Sequence, residues 1–288
     1  MFLTKNVLAF GANFTQYSRG MATLKEIALR LKSVKSIQKI TKSMKMVSAA
    51  KYSRAERELR NGKGFVQSIQ ALTFQADLQV DSHNKRKLII ALSSDRGLCG
   101  GIHSSITKVV KPLLEADKEA QLVVIGEKVR SQLQRSYGDR LFFSISDYGK
   151  RPPSFLEASA IATKILNSSC EFSVGNIIFS KFISALSYQP ASSPIYSHTA
   201  MSETEKLIGY QCEEDTLQAY QEFHMALSLY HAMVESSASE QSARMNAMDN
   251  ATKNAGEMIN KLSLSYNRTR QAVITNELIE IISGAAAV

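Results

Sequence analysis

The sequence predicts an α/β protein: two long helices with a domain of alternating strands and helices between them. Three observations carry that expectation. From about Asp215 to Val288 apolar and small residues recur at 3-4 spacing, through Leu217, Tyr220, His224, Leu227, His231, Val234, Ala238, Gln241, Met245, Met248, Thr252, Ala255, Ile259, Leu262, Tyr266, Thr269 and Val273, with no proline. A second seam runs through Leu24, Ile27, Leu31, Val34, Ile37, Ile40, Met44 and Val47. Between the two, short apolar runs alternate with amphipathic stretches from Leu88 onward. Apolar residues every 3.5 on average keep one stripe of a helix facing a partner. A helix of about 70 residues would extend on the order of 105 Å.

Composition narrows the class. Of 288 residues 44% are hydrophobic and 21% charged, which suits a folded chain able to bury a core. No run approaches the length of apolar sequence that spans a membrane. Cys99, Cys170 and Cys212 are far apart, without CxxC or metal spacing, as expected of free thiols in a reducing compartment. The net charge is +9, and through Arg60 thirteen basic residues face three acids, so the whole excess lies in the first fifth of the chain. Such a block implies an acidic partner.

Taken in order, residues 1–20 contain no acid and mix Lys5 and Arg19 with hydroxyls and scattered Phe and Leu. They read as a mitochondrial transit peptide rather than a secretory signal. The N-terminal helix is expected over 21–62. Thr23 and Glu26 form a capping box at its start. Its seam skips where Val34 passes to Ile37, a stammer, and it should stop at Asn61-Gly62-Lys63-Gly64. Between Ile27 and Ala55 there is no acid at all, which is unusual for a merely solvated face. Residues 63–84 read as a further helix and a polar linker.

The α/β domain is expected over 85–200. Leu88–Leu92 and Gln121–Gly126 are apolar runs of buried parallel-strand type, Leu141–Ile145 a third. Helices follow to Glu115, over Glu127–Tyr137 and over Ser154–Ser168. Asn176–Leu186 and Ile195–His198 close the region as strands joined through Tyr188-Gln189-Pro190. This alternation predicts a three-layer, Rossmann-like domain with a largely parallel sheet. A linker over 201–214 then leads to the C-terminal helix of 215–288.

No catalytic, cofactor-binding or metal-ligating set emerges. The turn Gly97–Gly101 follows a strand but matches neither GxGxxG nor GxxxxGK[ST], and a tight turn explains it as well as a phosphate does. The five histidines show no HExxH, and His224 and His231 sit seven apart on the seam as packed polar positions. Ser93-Ser94-Asp95 beside Cys99 resembles a nucleophile site, but no base is evident near it. Residues 268–280 are polar and charged, whereas 281–288 are uncharged and mostly small, as a tip would be that fits an apolar sleeve without interlocking. These features leave open a structural shaft, a basic coiled coil that binds nucleic acid, and an α/β enzyme with coiled-coil arms.

Four stretches are more specific. Residues 274–287 (ITNELIEIISGAAA) resemble the C-terminal signature of the γ subunits of F-type ATP synthases, and residues 40–47 (ITKSMKMV) their N-terminal helix. Residues 94–100 (SDRGLCG) and 239–245 (SEQSARM) are similar to the family's central-domain and C-terminal-helix motifs, in the same order. The resemblance covers about 21–288 and implies a mitochondrial, non-catalytic rotor. Its N- and C-terminal helices would form an antiparallel coiled coil inside the ring of α and β subunits. Its α/β domain would form a foot on the membrane rotor ring of c subunits, beside the small central-stalk subunits. It would lie at the matrix side of the inner membrane, bind no nucleotide or nucleic acid, and pass proton-driven rotation to the β subunits for ATP synthesis. By position in the motifs, Lys42, Met44, Lys45, Arg244, Arg270, Gln271, Thr275 and Glu277 are expected to meet the surrounding ring. Tyr210 and Glu213 are expected at the membrane-rotor foot. No cysteine-bearing regulatory insert of the chloroplast type is present.

Overall fold

A computed structural model of the chain describes residues 23–75, 87–168, 170, 172–202 and 214–286. The expected transit segment 1–20, the linker around 76–86 and residues 203–213 lie outside them. The chain divides into two compact units, residues 38–254 and the helix ends on either side, up to Ile37 and from Ala255.

Helix α1 spans Leu24–Gln75. Its capping box forms as expected: the Thr23 N–H donates to Glu26 Oε2 at 2.9 Å, and the Glu26 N–H to Thr23 Oγ1 at 3.3 Å. The seam differs from the one read in the sequence. Ile27, Val34, Thr41, Ser48 and Ala55 are buried, an uninterrupted seven-residue repeat, whereas Ile37 and Ile40 are 52% and 58% exposed and Val47 is exposed too. The stammer therefore does not exist. Small polar side chains, not the apolar ones, occupy the seam after Val34, because a hydroxyl fits a close helix contact when it has a partner. The helix also runs through Gly62 and Gly64 instead of stopping there. Glycine costs about 1 kcal/mol in a helix interior, and buried Ala55 and Val66 on either side hold the segment against that cost.

The central unit is a five-stranded sheet in the order β3-β2-β1-β4-β5. Strands β1 (Lys87–Leu92), β2 (Gln121–Ile125), β3 (Leu141–Ile145) and β4 (Val174–Phe182) are parallel, and β5 (Tyr188–Tyr196) is antiparallel to β4. Helices α2 (Ile102–Ala116) and α3 (Glu127–Tyr137) cover one face. Helix α4 (Phe155–Leu166) and the middle of the long C-terminal helix cover the other. The strands alternate between these cores: Leu88, Ile90 and Leu92 belong to one, Ile89 and Ala91 to the other. Burial on both faces is why β1 and β2 read as continuous apolar runs. The expected three layers are present.

Strand β5 begins at Tyr188, seven residues before the expected Ile195, and takes in the residues read as a connection. Its Pro190 and Pro194 pair with Ser180 and Asn176. Two residues without an N–H are tolerated because β5 is an edge strand and both lie at positions of the same parity. A short helix α5, His198–Ser202, follows.

Helix α6 spans Glu214–Ala286. Between His224 and Arg244 it is buried on nearly every side, and Met225, Ala226, Leu229, Ala232 and Met233 belong to the sheet's core. It also continues the sheet's hydrogen bonding. Pairing of β1 with β4 ends at Ile178. Beyond it the Ser180 N–H donates to Ser236 Oγ at 3.2 Å, and Ser239 Oγ donates to the Ser180 carbonyl at 3.0 Å. The α/β domain and this helix as far as Asn254 thus belong to one compact unit.

Candidate functional site

Within residues 38–254 the two long helices are locked by polar contacts. The Thr41 and Thr252 hydroxyls lie 2.8 Å apart, each also within reach of a carbonyl of its own helix. One turn along α1, Lys45 Nζ meets Asp249 Oδ1 at 2.7 Å, and Asp249 also takes Lys253 at 3.0 Å. Advancing from 41 to 45 on α1 while retreating from 252 to 249 on α6 makes the pair antiparallel. Both lysines hold the Asp249 carboxyl below its usual range. Specific polar pairs in a helix seam fix register at some expense of stability.

This arrangement divides the residues expected to meet a surrounding ring. Lys45 is tied within the chain, Met44 is half-buried, and Lys42 is exposed with no carboxylate partner among the described residues. Around Lys42 lie exposed Ile40, Met46 and Val47. The all-basic stretch is therefore a mixed surface of lysines and large apolar side chains. The sequence reading saw its charge but assigned two of these apolar residues to the seam.

Arg244 is only 5% exposed, and its guanidinium is used inside the chain. Its Nη2 is paired with Glu240 Oε1, its Nη1 donates to Gln241 Oε1 at 3.1 Å, and its Nε donates to the Gly97 carbonyl at 3.2 Å. This side chain fastens the turn after β1 to α6 and leaves Leu98, which has φ 61° and is 61% exposed, at the surface. The same turn is anchored at its other end. Asp95 Oδ1 accepts from the Glu127 N–H at 2.6 Å and so caps α3, while Ser93 Oγ donates to the Ile125 carbonyl at 2.9 Å. The fit is close at Gly126: φ is 96°, and a Cβ there would lie 2.6–2.7 Å from Ser93 and Ser94 atoms. The 94–100 stretch is thus held on both sides as an architectural corner.

In the other unit, Arg270, Gln271, Thr275 and Glu277 all lie on α6 where every residue from Arg270 to Ala286 is exposed. The Thr275 hydroxyl donates to the Gln271 carbonyl at 2.9 Å. Val273, Ile274, Leu278, Ile279, Ile281 and Ile282 are large apolar side chains left open to solvent. Tyr210 and Glu213, expected at a membrane-rotor foot, lie outside the described residues.

Beside Cys99 lies His103, its Nε2 3.2 Å from Cys99 Sγ and 3.0 Å from the Arg96 carbonyl; the carbonyl can only accept, so this nitrogen carries the proton and is no base toward the thiol. The signal was present in the four-residue spacing. Burial also pushes the Cys99 thiol up to about 11 and lowers His103, so the pair rests as neutral thiol and neutral imidazole. Among the described residues no three His, Cys, Asp or Glu side chains are placed to hold a metal ion. No helix among them is long and apolar enough to cross a membrane.

His224 and His231 are packed within the fold, as their positions on the seam suggested. Burial lowers His224 to about 4, so its charged form is excluded from the folded state. An imidazole of ordinary value in the unfolded chain then contributes stability that is complete above pH 6.5 and lost as pH falls toward 4. The loss expected from His224 is roughly 3 kcal/mol across that window. Glu235, raised to about 6 by burial, acts in the opposite sense between its unfolded value and pH 6. Chemical denaturation of wild type and His224→Phe at pH 5 and pH 7 isolates the histidine: the variant should lose much less stability on acidification.

Comparison with known proteins places these features in context. A family model described as ATP synthase matches residues 23–288. The rat mitochondrial ATP synthase F(1) complex subunit gamma is 53% identical over 271 residues, covering 92% of this chain and 99% of its own length. The Drosophila melanogaster mitochondrial ATP synthase subunit gamma is 48% identical over 275 residues, covering 94% and 93%. Among solved structures, a chain from the central stalk and c-ring of Tetrahymena thermophila mitochondrial ATP synthase matches at TM-score 0.64 and 32% identity, over 74% of this chain and 99% of that one. A chain of the Euglena gracilis mitochondrial ATP synthase shares the fold at TM-score 0.81 and 20% identity, over 93% and 95%.

Proposed function

We propose, for a chain that belongs to the gamma-subunit family of the ATP synthases, that it turns inside its ring of α and β subunits and has no catalytic centre of its own. As a gamma subunit it is part of the central stalk of the mitochondrial enzyme, peripheral to the inner membrane on the matrix side, and its work serves ATP synthesis. Its partners are the α and β subunits, the small central-stalk subunits and the c ring.

The observation that carries the rotor reading is the end of α6. Every residue from Arg270 to Ala286 is exposed, six of them large and apolar. A helix surface of this kind in water marks an interaction surface. A sleeve around the tip satisfies it, and the absence of charge beyond Glu280 leaves little to bind one orientation over another. Arg270, Gln271, Thr275 and Glu277 supply polar contacts just below, and Lys42, with Met44 beside it, does so on α1. Lys45 and Arg244 act differently. Their internal bonds hold α1, α6 and the Gly97 turn in register, so that torque applied to one is carried by the others.

The purified chain should show no ATP hydrolysis, and adding it to a ring of α and β subunits should raise the ring's turnover. Hydrolysis by the isolated chain, tracking with it through successive columns, would contradict the reading.

A further inference from the structure

The sheet order reverses direction between β1, which leads by α2 to β2, and β4 on its other side. A crevice at the carboxyl ends of two such strands is where open α/β sheets hold ligands. Here that crevice is a cavity of about 260 Å³. Its walls come from the turn after β1, the end of β4, the loop after β3, and facing stretches of α1 and α6. All lie within residues 38–254.

Charge and capping favour an anion. Three cations on the wall, Lys51, Arg96 and Arg151, have no carboxylate partner among the described residues. The two wall carboxylates are already committed: Glu58 to Arg54 at 3.3 Å, Glu240 to Arg244. Ile102, at the start of α2, also lines the cavity. The residue preceding it is Gly101, with no side chain to cap the first-turn N–H groups. Uncapped N–H groups and the positive end of the helix dipole both suit a phosphate. The remaining wall mixes apolar groups, Leu92, Tyr148 and Pro152 among them, with polar ones such as Ser93, Ser180 and Ser236. Its volume falls just below the usual range for drug-sized ligands of about 300–1,000 Å³.

We propose that this cavity binds a small organic phosphate monoester, its phosphate among Lys51, Arg96 and the start of α2, its apolar part against Tyr148 and Pro152. A single phosphate accords with the lack of a GxGxxG fingerprint in the turn. The inference does not depend on the rotor reading.

The test uses the full chain, titrated calorimetrically with ribose 5-phosphate, with AMP, and with inorganic phosphate at matched ionic strength. At least one organic phosphate should bind more tightly than inorganic phosphate. Arg96→Gln should weaken it roughly tenfold, the loss of one charge-assisted hydrogen bond. Lys51→Gln provides the same test on a second element, should Arg96→Gln fail to fold by circular dichroism. No binding of either organic phosphate overturns the proposal. So does equal binding of inorganic phosphate, which would mean charge screening only, and so does affinity unchanged in the folded variants.

Discussion

Replacing Arg244 with alanine lowers the stability of the chain by about 3–5 kcal/mol, the range for removing one partner of a buried ion pair. The magnitude follows from what is left behind. The Glu240 carboxylate stays buried without its counter-charge, and Gln241 and the Gly97 carbonyl each lose a donor. Unsatisfied buried groups cost more than a made hydrogen bond contributes. Lysine does not rescue, because one ammonium cannot reproduce a fork that reaches three acceptors in fixed directions. Replacing the pair together, Arg244→Met with Glu240→Leu, should recover much of the stability. Urea denaturation of the four proteins measures each value. A loss under 1 kcal/mol in Arg244→Ala would mean that the guanidinium serves a neighbour rather than the chain.

Met44→Lys acts on function rather than folding. Met44 is half-buried between exposed Lys42 and Lys45, whose ammonium is already tied to Asp249. A third cation there has no acid within reach along its own helix, since 27–55 contains none. In the chain alone the new side chain can reach water along its flexible stem. At the ring contact proposed for Met44 that escape closes, and like charges repel more strongly in the lower dielectric. The complex should assemble in normal yield, hydrolyse ATP, and lose on the order of tenfold in proton-driven synthesis. Measuring synthesis and proton pumping in reconstituted vesicles decides it. Normal coupling in a fully assembled complex would remove Met44 from the contact surface.

How much could be read from the sequence depended on what each segment packs against. The strands β1, β2 and β3 and helix α3 lie within a residue or two of their expected positions, because burial on both sheet faces imposes a plain apolar signal. The seam of α6 holds only in part: nearly every side is buried between His224 and Arg244, and Val273, read on the seam, is exposed. That of α1 was misread. Thr41 and Ser48 are buried there, while Ile37, Ile40 and Val47 face outward. A rule that sends apolar side chains inward misreads a helix with a second partner outside the chain. Strand β5 was read too short because its prolines resemble a turn until its place at the sheet edge is known. The proposed ring contacts rest on resemblance alone. Periodicity says nothing of Arg244's contact with the Gly97 carbonyl, which belongs to a turn almost 150 residues earlier in the chain. Cys99 and His103 show the converse: the spacing was visible, but only the structure reveals that the pair is inert.

The central claim is that this chain turns relative to the ring. Leu156, on α4, is 79% exposed and offers an attachment point away from the ring contacts. A bead tethered through Leu156→Cys, on complexes immobilised by the ring, reports motion of the chain directly. The bead should rotate in one direction, starting when ATP is added and stopping when it is exhausted. A bead that stays fixed while the same complexes hydrolyse ATP at full rate would contradict it.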